Sequence, residues 1–230
     1  MPALTRAQIE SSIAEAAEVF ASFGLKLPPW AMDTTEVWDQ RAGDPAWDQV
    51  RDCMLGWDVT DFGSGRFEEI GRVLFTVRNG RLNDSRYPKA FAQKYLFDPE
   101  HQRAPAHFHL SKNEDICCLA GGNILVELCK ADDNNQRSDE RFQVAVDGVY
   151  RELGPGDTVR LKPGMSVNIP PRTIHQFWGE EGTGLTISSE VSSVCDDVKD
   201  NFFLDPAERF PGITEDAERV HYLCNEYPRG

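Results

Sequence analysis

The segment HFHLSKNE, residues 107–114, contains the residues that decide the fold and the chemistry of this chain. His107 and His109 are two residues apart, so a β-strand would point both imidazoles to the same side of a sheet. Glu114 lies an odd number of residues beyond His109, and a straight strand would turn its carboxylate away. The polar run 111–113 therefore predicts a bend that returns Glu114 to the histidines.

A third histidine, His175, lies far downstream, where Pro170 and Pro171 lead into a predicted strand over residues 174–178. Three imidazoles and one carboxylate form a ligand set that suits manganese, iron, zinc or nickel rather than calcium, and a six-coordinate ion would keep two open positions. Isolated histidines more often satisfy polar contacts. We therefore assign no role to His101 and His221.

The spacing of these ligands resembles the two-part motif of the cupins. The first half, His-x-His-x4-Glu-x6-Gly, is complete and ends at Gly121. The second half, Gly-x5-Pro-x-Gly-x2-His-x3-Asn, is represented by Gly164, Pro170 and His175. Three residues that are not ligands depart from the usual pattern at or beside the motif: His101, Arg172 and Gly179. The resemblance predicts a cupin jelly-roll barrel with a bound metal ion.

Composition restricts the class of protein and its partners. A length of 230 residues suits one well-cored domain with a helical extension. The formal net charge of −14 disfavours nucleic acid and anionic membranes as partners, because both would repel this surface. Six cysteines without a Cys-x-x-Cys pair suggest reduced thiols in a cytoplasmic protein and exclude a zinc ribbon. Residues 1–10 lack the apolar core of a signal peptide, and no apolar stretch approaches membrane-spanning length.

Two regions follow from the patterns along the chain. Residues 1–70 are predicted to form a helical extension packed on the barrel, because Thr5 and Gln8 resemble a capping box ahead of apolar residues at helical spacing. Residues 71–230 are predicted to form the barrel and its C-terminal tail, and Asn79-Gly80 predicts a tight hairpin. Turn residues separate the predicted strands, which span residues 73–77, 91–97, 106–109, 123–129, 142–146, 158–161, 166–169, 174–178 and 185–191. The expected fold is mainly β.

Nearly the whole chain resembles the D-lyxose isomerases, a cupin family of ketol-isomerases. The metal segment HFHLSKNEDI (107–116) is similar to theirs, and the long block MLGWDVTDFGSG (54–65) is the most specific likeness. Four further segments extend it: LPPW (27–30), LFTVRNG (74–80), SEVSSVCDD (189–197) and RFP (209–211). One departure is the stretch 117–120, which is usually more polar and glycine-rich.

The resemblance implies conversion of D-lyxose to D-xylulose, and of D-mannose to D-fructose, by a homodimeric enzyme that uses Mn²⁺. Other divalent ions such as Co²⁺, Ni²⁺, Zn²⁺ or Fe²⁺ are alternatives. The metal would polarise the sugar carbonyl. In a cis-enediol route, one group then moves a proton from C2 to C1, while a second group moves protons between the two oxygens.

Candidate catalytic and substrate-binding residues surround the predicted ligands. Lys112 falls within the bend beside Glu114, and a nearby dication would lower its pKa and favour proton transfer. Lys94 matches a lysine of the family and is expected to bind a sugar hydroxyl, although on sequence alone it reads as a surface charge. Glu190, a further candidate substrate ligand, faces either the barrel lumen or solvent. The tail resembles a segment that returns an acid and an arginine to the pocket; the acid is Asp205 or Glu208, and we favour catalytic Glu208 with substrate-binding Arg209.

Two other functions use the same ligands. A non-haem iron dioxygenase also employs three histidines and a glutamate, but its pocket should be more apolar around the metal. A non-catalytic sugar-binding cupin should bind aldoses without turnover. The residues beyond the ligands distinguish the first alternative, and turnover distinguishes the second.

Overall fold

Two antiparallel β-sheets dominate the computed structural model, which describes residues 3–230. The larger sheet has eight strands, in spatial order β1 (Gly56–Thr60), β2 (Arg72–Arg78), β3 (Phe91–Asp98), β12 (Thr186–Ser193), β5 (Glu114–Gly121), β10 (Ser166–Ile169), β7 (Phe142–Val146) and β8 (Val149–Leu153). The smaller sheet has five, in the order β13 (Phe202–Phe203), β4 (His107–Phe108), β11 (Thr173–Gly179), β6 (Ile124–Lys130) and β9 (Asp157–Leu161). The predicted mainly β jelly roll is confirmed.

The barrel core lies between the two sheets. Inward residues of the larger sheet, such as Ile116 and Val167, pack with Val126 and Leu128 of the smaller sheet, and all four are fully buried. Alternate residues of each strand supply this core, because successive side chains of a strand point to opposite faces. The same inward face carries His175 and Glu114, so the polar site lies inside the barrel beside the apolar core.

The N-terminal helices cover the outside of the larger sheet. Helix α1 (Arg6–Ser22) begins with the predicted capping box, in which the Thr5 side chain accepts a hydrogen bond from the Gln8 backbone and the Gln8 side chain accepts one from Thr5. Its buried face packs on Trp57 and Phe75. Four shorter helical elements follow: Pro29–Met32, α2 (Thr35–Gln40), Pro45–Trp47 and α3 (Asp48–Asp52). No helix within residues 3–230 has the length and apolar character needed to cross a membrane.

Four strands lie where sequence patterns indicate none: β1, β5, β8 and the two-residue β13. Strand β1 belongs to the segment 1–70 and pairs with β2, so the predicted helical extension also supplies an edge strand of the larger sheet. Strand β5 begins at Glu114 itself and lies between β12 and β10. The adjacent cysteines in β5 and the four exposed residues in β8 obscure the alternation of apolar and polar residues by which strands are predicted.

The tight hairpin predicted at Asn79-Gly80 is wrong. Strands β2 and β3 do pair, but residues 79–90 form a longer connection between them. The Asn79 side chain is buried and bonds backbone groups of distant segments, donating to the carbonyl oxygens of Cys53 (3.3 Å) and Cys195 (2.9 Å). Asn79 therefore serves a tertiary contact rather than a two-residue turn.

A buried arginine joins α1 to the C-terminal tail and predicts a pH-dependent contribution to stability. Arg6 is fully buried and contacts Glu215 (2.8 Å) and Glu226 (2.6 Å). The hydrogen bond from Arg6 is the main cause that lowers the pKa of Glu215 to about 2, below its value of about 4.3 in an unfolded chain. The ionised carboxylate therefore stabilises the fold above the unfolded pKa, and this contribution disappears as the pH falls towards 2.

We expect Glu215→Gln to lower the free energy of unfolding by about 1 kcal/mol at pH 7, since the carboxylate is partly solvated. The difference from wild type should shrink between about pH 5 and pH 2. Urea denaturation at pH 7 and pH 3 measures it, with Glu218→Gln, an exposed neighbour, as the control. An equal deficit at both pH values would contradict the assignment.

Candidate metal centre and active site

Three histidines from the two ends of the cupin motif meet inside the barrel. His107 lies on β4 and pairs directly with His175 on the neighbouring β11, while His109 follows β4. One ring nitrogen from each histidine lies within 4.8 Å of the others. The ring centroids of His107 and His175 are 4.3 Å apart. Sequence spacing predicted this convergence, and pairing of β4 with β11 provides it.

Backbone carbonyls orient all three imidazoles in the same way. The Nδ1 atoms of His107, His109 and His175 lie 2.9, 2.5 and 2.9 Å from the carbonyl oxygens of residues 105, 200 and 173. A carbonyl can only accept, so each Nδ1 carries the proton and each Nε2 keeps a lone pair, an assignment that rests on these partners. Such contacts are typical of metal-ligating histidines, whose free nitrogen then faces the ion.

The Glu114 carboxylate lies beside the histidine Nε2 atoms, and neither kind of atom carries a proton that could form a hydrogen bond between them. Its Oε1 atom lies 2.9 Å from His175 Nε2 and 3.5 Å from His109 Nε2. Both Glu114 Oε1 and His109 Nε2 are buried, and neither has a hydrogen-bond partner among residues 3–230. Buried polar atoms are almost always paired. A cation bound between them would accept the lone pairs of both atoms, so these residues fit the predicted divalent metal.

Arg172 connects the two halves of the motif through its backbone. Its N–H donates to the carbonyl oxygen of His109 at 2.7 Å, and its φ of +61° lies in the left-handed region. The positive φ explains why the cupin pattern has glycine at this position, since residues with a side chain adopt such a conformation only at a cost in free energy. His101 also replaces a glycine of the pattern and has a φ of +66°. The backbone geometry of the pattern is thus kept without its glycines.

A chain of alternating charges extends from the ligands into the pocket. Lys112 Nζ lies 2.6 Å from Glu114 Oε2 and 3.0 Å from Glu190 Oε1. Lys94 Nζ lies 3.5 Å from Glu190 and 3.3 Å from Asp197, which in turn contacts Arg209 at 3.2 Å. All five groups line one cavity with His107, Glu114 and His175. Glu190 therefore faces the lumen, which settles the alternative left open by the sequence.

The charges on these buried groups depend on one another. Burial alone would raise the pKa of Glu114, but Lys112 and the histidines hold it well below its ordinary value. Burial would lower the pKa of Lys112, but Glu114 and Glu190 raise it instead. Lys94 and Arg209 likewise lower the pKa of Asp197 against the effect of burial. At neutral pH the carboxylates are therefore ionised and, without a cation on the histidines, Lys112 is protonated. The lowering of its pKa by a dication remains a prediction.

Arg209 enters the cavity, but Glu208 does not. Arg209 also contacts Asp58, and its buried Nη1 atom has no hydrogen-bond partner in the described part of the chain. Glu208 is exposed, and its side chain packs beside Gly63, outside the residues that line the cavity. Its backbone N–H donates to the carbonyl oxygen of Phe62 at 3.0 Å, and Phe62 is part of the cavity wall. The backbone of Glu208 thus contacts the cavity wall while its side chain is exposed, and Asp205, the other candidate acid, is also exposed.

Sequence reasoning missed several residues of the cavity. Asp197 and Asn201 are polar members, and Asn201 Nδ2 donates to Asp197 Oδ1 at 3.2 Å. The one available signal was that Asp197 ends the family-like segment 189–197. Phe62 and Phe203 form an aromatic wall beside His107, with centroids of Phe203 and His107 5.6 Å apart. Nothing in the sequence indicates that these two aromatics meet.

The side chains that surround the candidate ligands in the cavity distinguish the competing functions. Two lysines, two arginines and two further carboxylates line the cavity with His107, Glu114 and His175. Such groups suit a polyol and the transfer of protons, whereas the dioxygenase alternative predicts a more apolar ring. The geometry therefore favours chemistry on a sugar.

Comparisons with known proteins agree with this geometry. The family model described as D-lyxose isomerase matches residues 4–227. The chain belongs to the D-lyxose isomerase family. Within this family, it is 41% identical over 224 residues to a D-lyxose/D-mannose isomerase of Escherichia coli O157:H7, a match covering 97% of this chain and 98% of the relative. It is 43% identical over 210 residues to the protein of the same description from Serratia proteamaculans, covering 91% and 92%.

A solved structure with a similar fold extends the comparison beyond this family. The L-ribose isomerase of Cellulomonas parahominis, solved with L-ribose, is 16% identical and has a TM-score of 0.59, with 90% of this chain and 95% of that chain covered. At this identity the likeness concerns the fold alone. It agrees with the predicted cupin barrel and its N-terminal extension.

Proposed function

We propose that this protein is a metal-dependent aldose–ketose isomerase that converts D-lyxose to D-xylulose and D-mannose to D-fructose. The observation that carries the proposal is the position of Lys112, which is buried between Glu114 and Glu190 beside three histidine Nε2 atoms. This arrangement places proton donors and acceptors next to a predicted metal site. The descriptions of the relatives from E. coli and S. proteamaculans support the choice of substrates.

His107, His109, Glu114 and His175 are the proposed ligands, and Mn²⁺ is the proposed ion, with Co²⁺, Ni²⁺, Zn²⁺ or Fe²⁺ as alternatives. When bound, a divalent ion would polarise the carbonyl oxygen of the open-chain sugar. Each ligand is already oriented by the protein, so binding of the ion would require little rearrangement.

In a cis-enediol route, the residues around this centre would transfer protons, bind the sugar and exclude water. Lys112 would move a proton at the end of the sugar that faces the metal, since its amine contacts Glu114, a proposed metal ligand. Arg209 would donate from its unpartnered Nη1 atom to a sugar oxygen. Lys94 and Glu190 would bind hydroxyls, because both are buried side chains with hydrogen-bonding atoms that line the cavity. Phe62 and Phe203 would exclude water from one side.

Glu208 remains our proposal for the second proton-transfer group, acting from the rim of the cavity. We expect Glu208→Gln to lower kcat roughly 100-fold, the usual scale for a general acid or base, with little change in melting temperature, since the side chain is exposed. Asp205→Asn tests the other candidate acid on the same segment, and we expect it to keep kcat. If Glu208→Gln keeps full activity, the acid is another residue, and Asp197→Asn tests the nearest candidate inside the cavity.

The proposed function is tested by one assay series. The protein is stripped with a chelator, reloaded with Mn²⁺, Co²⁺, Ni²⁺ or Zn²⁺, and assayed for ketose formation from D-lyxose, D-mannose, D-xylose, D-glucose and L-ribose. We expect conversion of the first two, no conversion after chelation, and recovery on reloading. Binding without turnover would indicate a sugar-binding cupin, and oxygen consumption without ketose formation would indicate a dioxygenase.

We further propose that the protein is a cytoplasmic homodimer without nucleic-acid or membrane partners. Its net charge of −14 supports the exclusion of polyanions. Exposed apolar residues, including Val149 (63% exposed) and Tyr150 (74% exposed) on edge strand β8, offer surface that a second copy could cover. Sedimentation equilibrium measures the oligomeric state, and a monomer across micromolar concentrations would contradict the proposal.

A further inference from the structure

Asp200 contacts the metal-site bend with both its side chain and its backbone. Its carboxylate accepts hydrogen bonds from the backbone N–H groups of Leu110 (2.8 Å), Ser111 (3.2 Å) and Lys112 (3.0 Å). The Ser111 hydroxyl donates to the same carboxylate at 2.7 Å. Three successive backbone N–H groups that converge on one anion form a nest, an arrangement that holds a carboxylate strongly.

These hydrogen bonds fix the part of the chain that strand pairing leaves free. Residues 109–113 lie between β4 and β5 and belong to neither strand. Without the carboxylate, the three N–H groups would have no partner in the described structure. The bend sets the separation of His109 from Glu114, and it carries Lys112 between them. A shift of the bend would therefore move a predicted ligand and the predicted proton-transfer group together.

The backbone of Asp200 acts on the same site by a second route. Its carbonyl oxygen lies 2.5 Å from Nδ1 of His109 and keeps the proton on that nitrogen. Asp200 itself is held in a turn, since its N–H donates to the carbonyl oxygen of Asp196 at 2.9 Å. Asp197, a cavity residue, belongs to the same turn. One turn of the C-terminal tail thus orients a ligand, supports Lys112 and supplies a charge of the cavity.

We propose that Asp200 is a positioning residue for the metal centre and for Lys112, and that the turn 196–201 determines the geometry of both. The residue does not line the cavity, so it acts through the bend rather than on the sugar. Its effect on turnover rests on the proposed isomerase function, whereas its effect on metal binding does not.

The test compares Asp200→Ala and Asp200→Asn with Asp196→Ala. Asp196 lies in the same turn. Within the part of the chain that the structure describes, its carboxylate accepts only from the nearby Lys199 N–H at 3.2 Å, so its loss removes no hydrogen bond to residues 109–113. Loss of a partner that orients a metal ligand typically costs 10-fold to 100-fold in metal affinity or activity. We expect Asp200→Ala to weaken Co²⁺ binding by this factor, to change the visible spectrum of bound Co²⁺, and to speed amide hydrogen exchange at residues 110–112.

The asparagine variant separates positioning from folding. Asp200→Asn keeps one acceptor oxygen and should therefore have an intermediate Co²⁺ affinity and an intermediate kcat, with KM changed less than kcat. If Asp200→Ala fails to fold, the asparagine variant carries the test. Wild-type Co²⁺ affinity, spectrum and exchange in the asparagine variant would overturn the proposal.

Failure of the proposed function gives a different pattern. If wild type binds Co²⁺ but isomerises no aldose, while Asp200→Ala still weakens Co²⁺ binding, the positioning role stands and the isomerase assignment falls. If wild type isomerises D-lyxose and Asp200→Ala matches it in kcat and Co²⁺ affinity, the positioning role falls and the isomerase assignment stands.

Discussion

His109→Ala is expected to lose metal binding and isomerase activity together, with a fall in kcat/KM of about 1000-fold or more. Loss of the ion removes several kcal/mol of transition-state stabilisation, and each 1.36 kcal/mol corresponds to a factor of ten. The substitution also removes a buried Nε2 atom that has no other partner. Metal content after dialysis and the rate of ketose formation from D-lyxose measure the two effects.

Glu114→Gln tests the same centre with a smaller change of shape. The amide retains one oxygen but loses the negative charge that faces His109 and His175, so metal affinity and activity should fall together. His101→Asn is the control, since His101 is exposed with a positive φ that asparagine tolerates. Full metal occupancy and full turnover in either ligand variant would remove that residue from the centre.

Lys112→Ala is expected to keep the metal and lose turnover by roughly 10²-fold to 10⁴-fold, the range for a general acid or base. The lysine amine lies 2.6 Å from Glu114, so its removal takes away a positive charge that repels a cation. Metal affinity should therefore hold or rise while kcat falls. Metal titration of the stripped protein and steady-state kinetics on D-lyxose separate the two quantities.

The matched control for this lysine is Lys199→Ala. Lys199 is exposed on the turn 196–201 and lies outside the cavity lining. Near-normal turnover in Lys112→Ala would show that proton transfer is assigned to the wrong residue. Loss of metal from Lys112→Ala would instead indicate that the lysine holds Glu114 in place for the ion.

Local spacing explains why the convergence of His107, His109, Glu114 and His175, the proposed metal ligands, could be predicted from the amino-acid sequence. Two histidines two residues apart must share one side of a strand, and a polar bend can return Glu114 to that side. His175 was found by the spacing of the second motif. The bend carries Lys112 along with it, so this residue could also be named in advance.

The positions of residues that lie outside any periodic sequence pattern could be found only from the tertiary structure. Glu190 was left between lumen and solvent, and only the position of β12 between β3 and β5 sets its register opposite Lys94 and directs it to the cavity. The sequence proposes Asp205 or Glu208 as the tail acid but gives no sign that Asp197, earlier in the tail, contacts Arg209 inside the barrel. An aspartate in an irregular segment has no spacing that predicts its partner.

The linear order of residues was thus sufficient for the mainly β cupin class and for proposing the four metal ligands and Lys112, because strand periodicity and short bends place near neighbours. Closure of the barrel and return of the tail were needed for the rest: the charged chain from Glu190 to Arg209, the aromatic wall and the support from Asp200. Contacts of this kind join residues as far as 151 positions apart, such as Arg209 with Asp58. Their distances depend on the packing of two sheets, which no local pattern encodes.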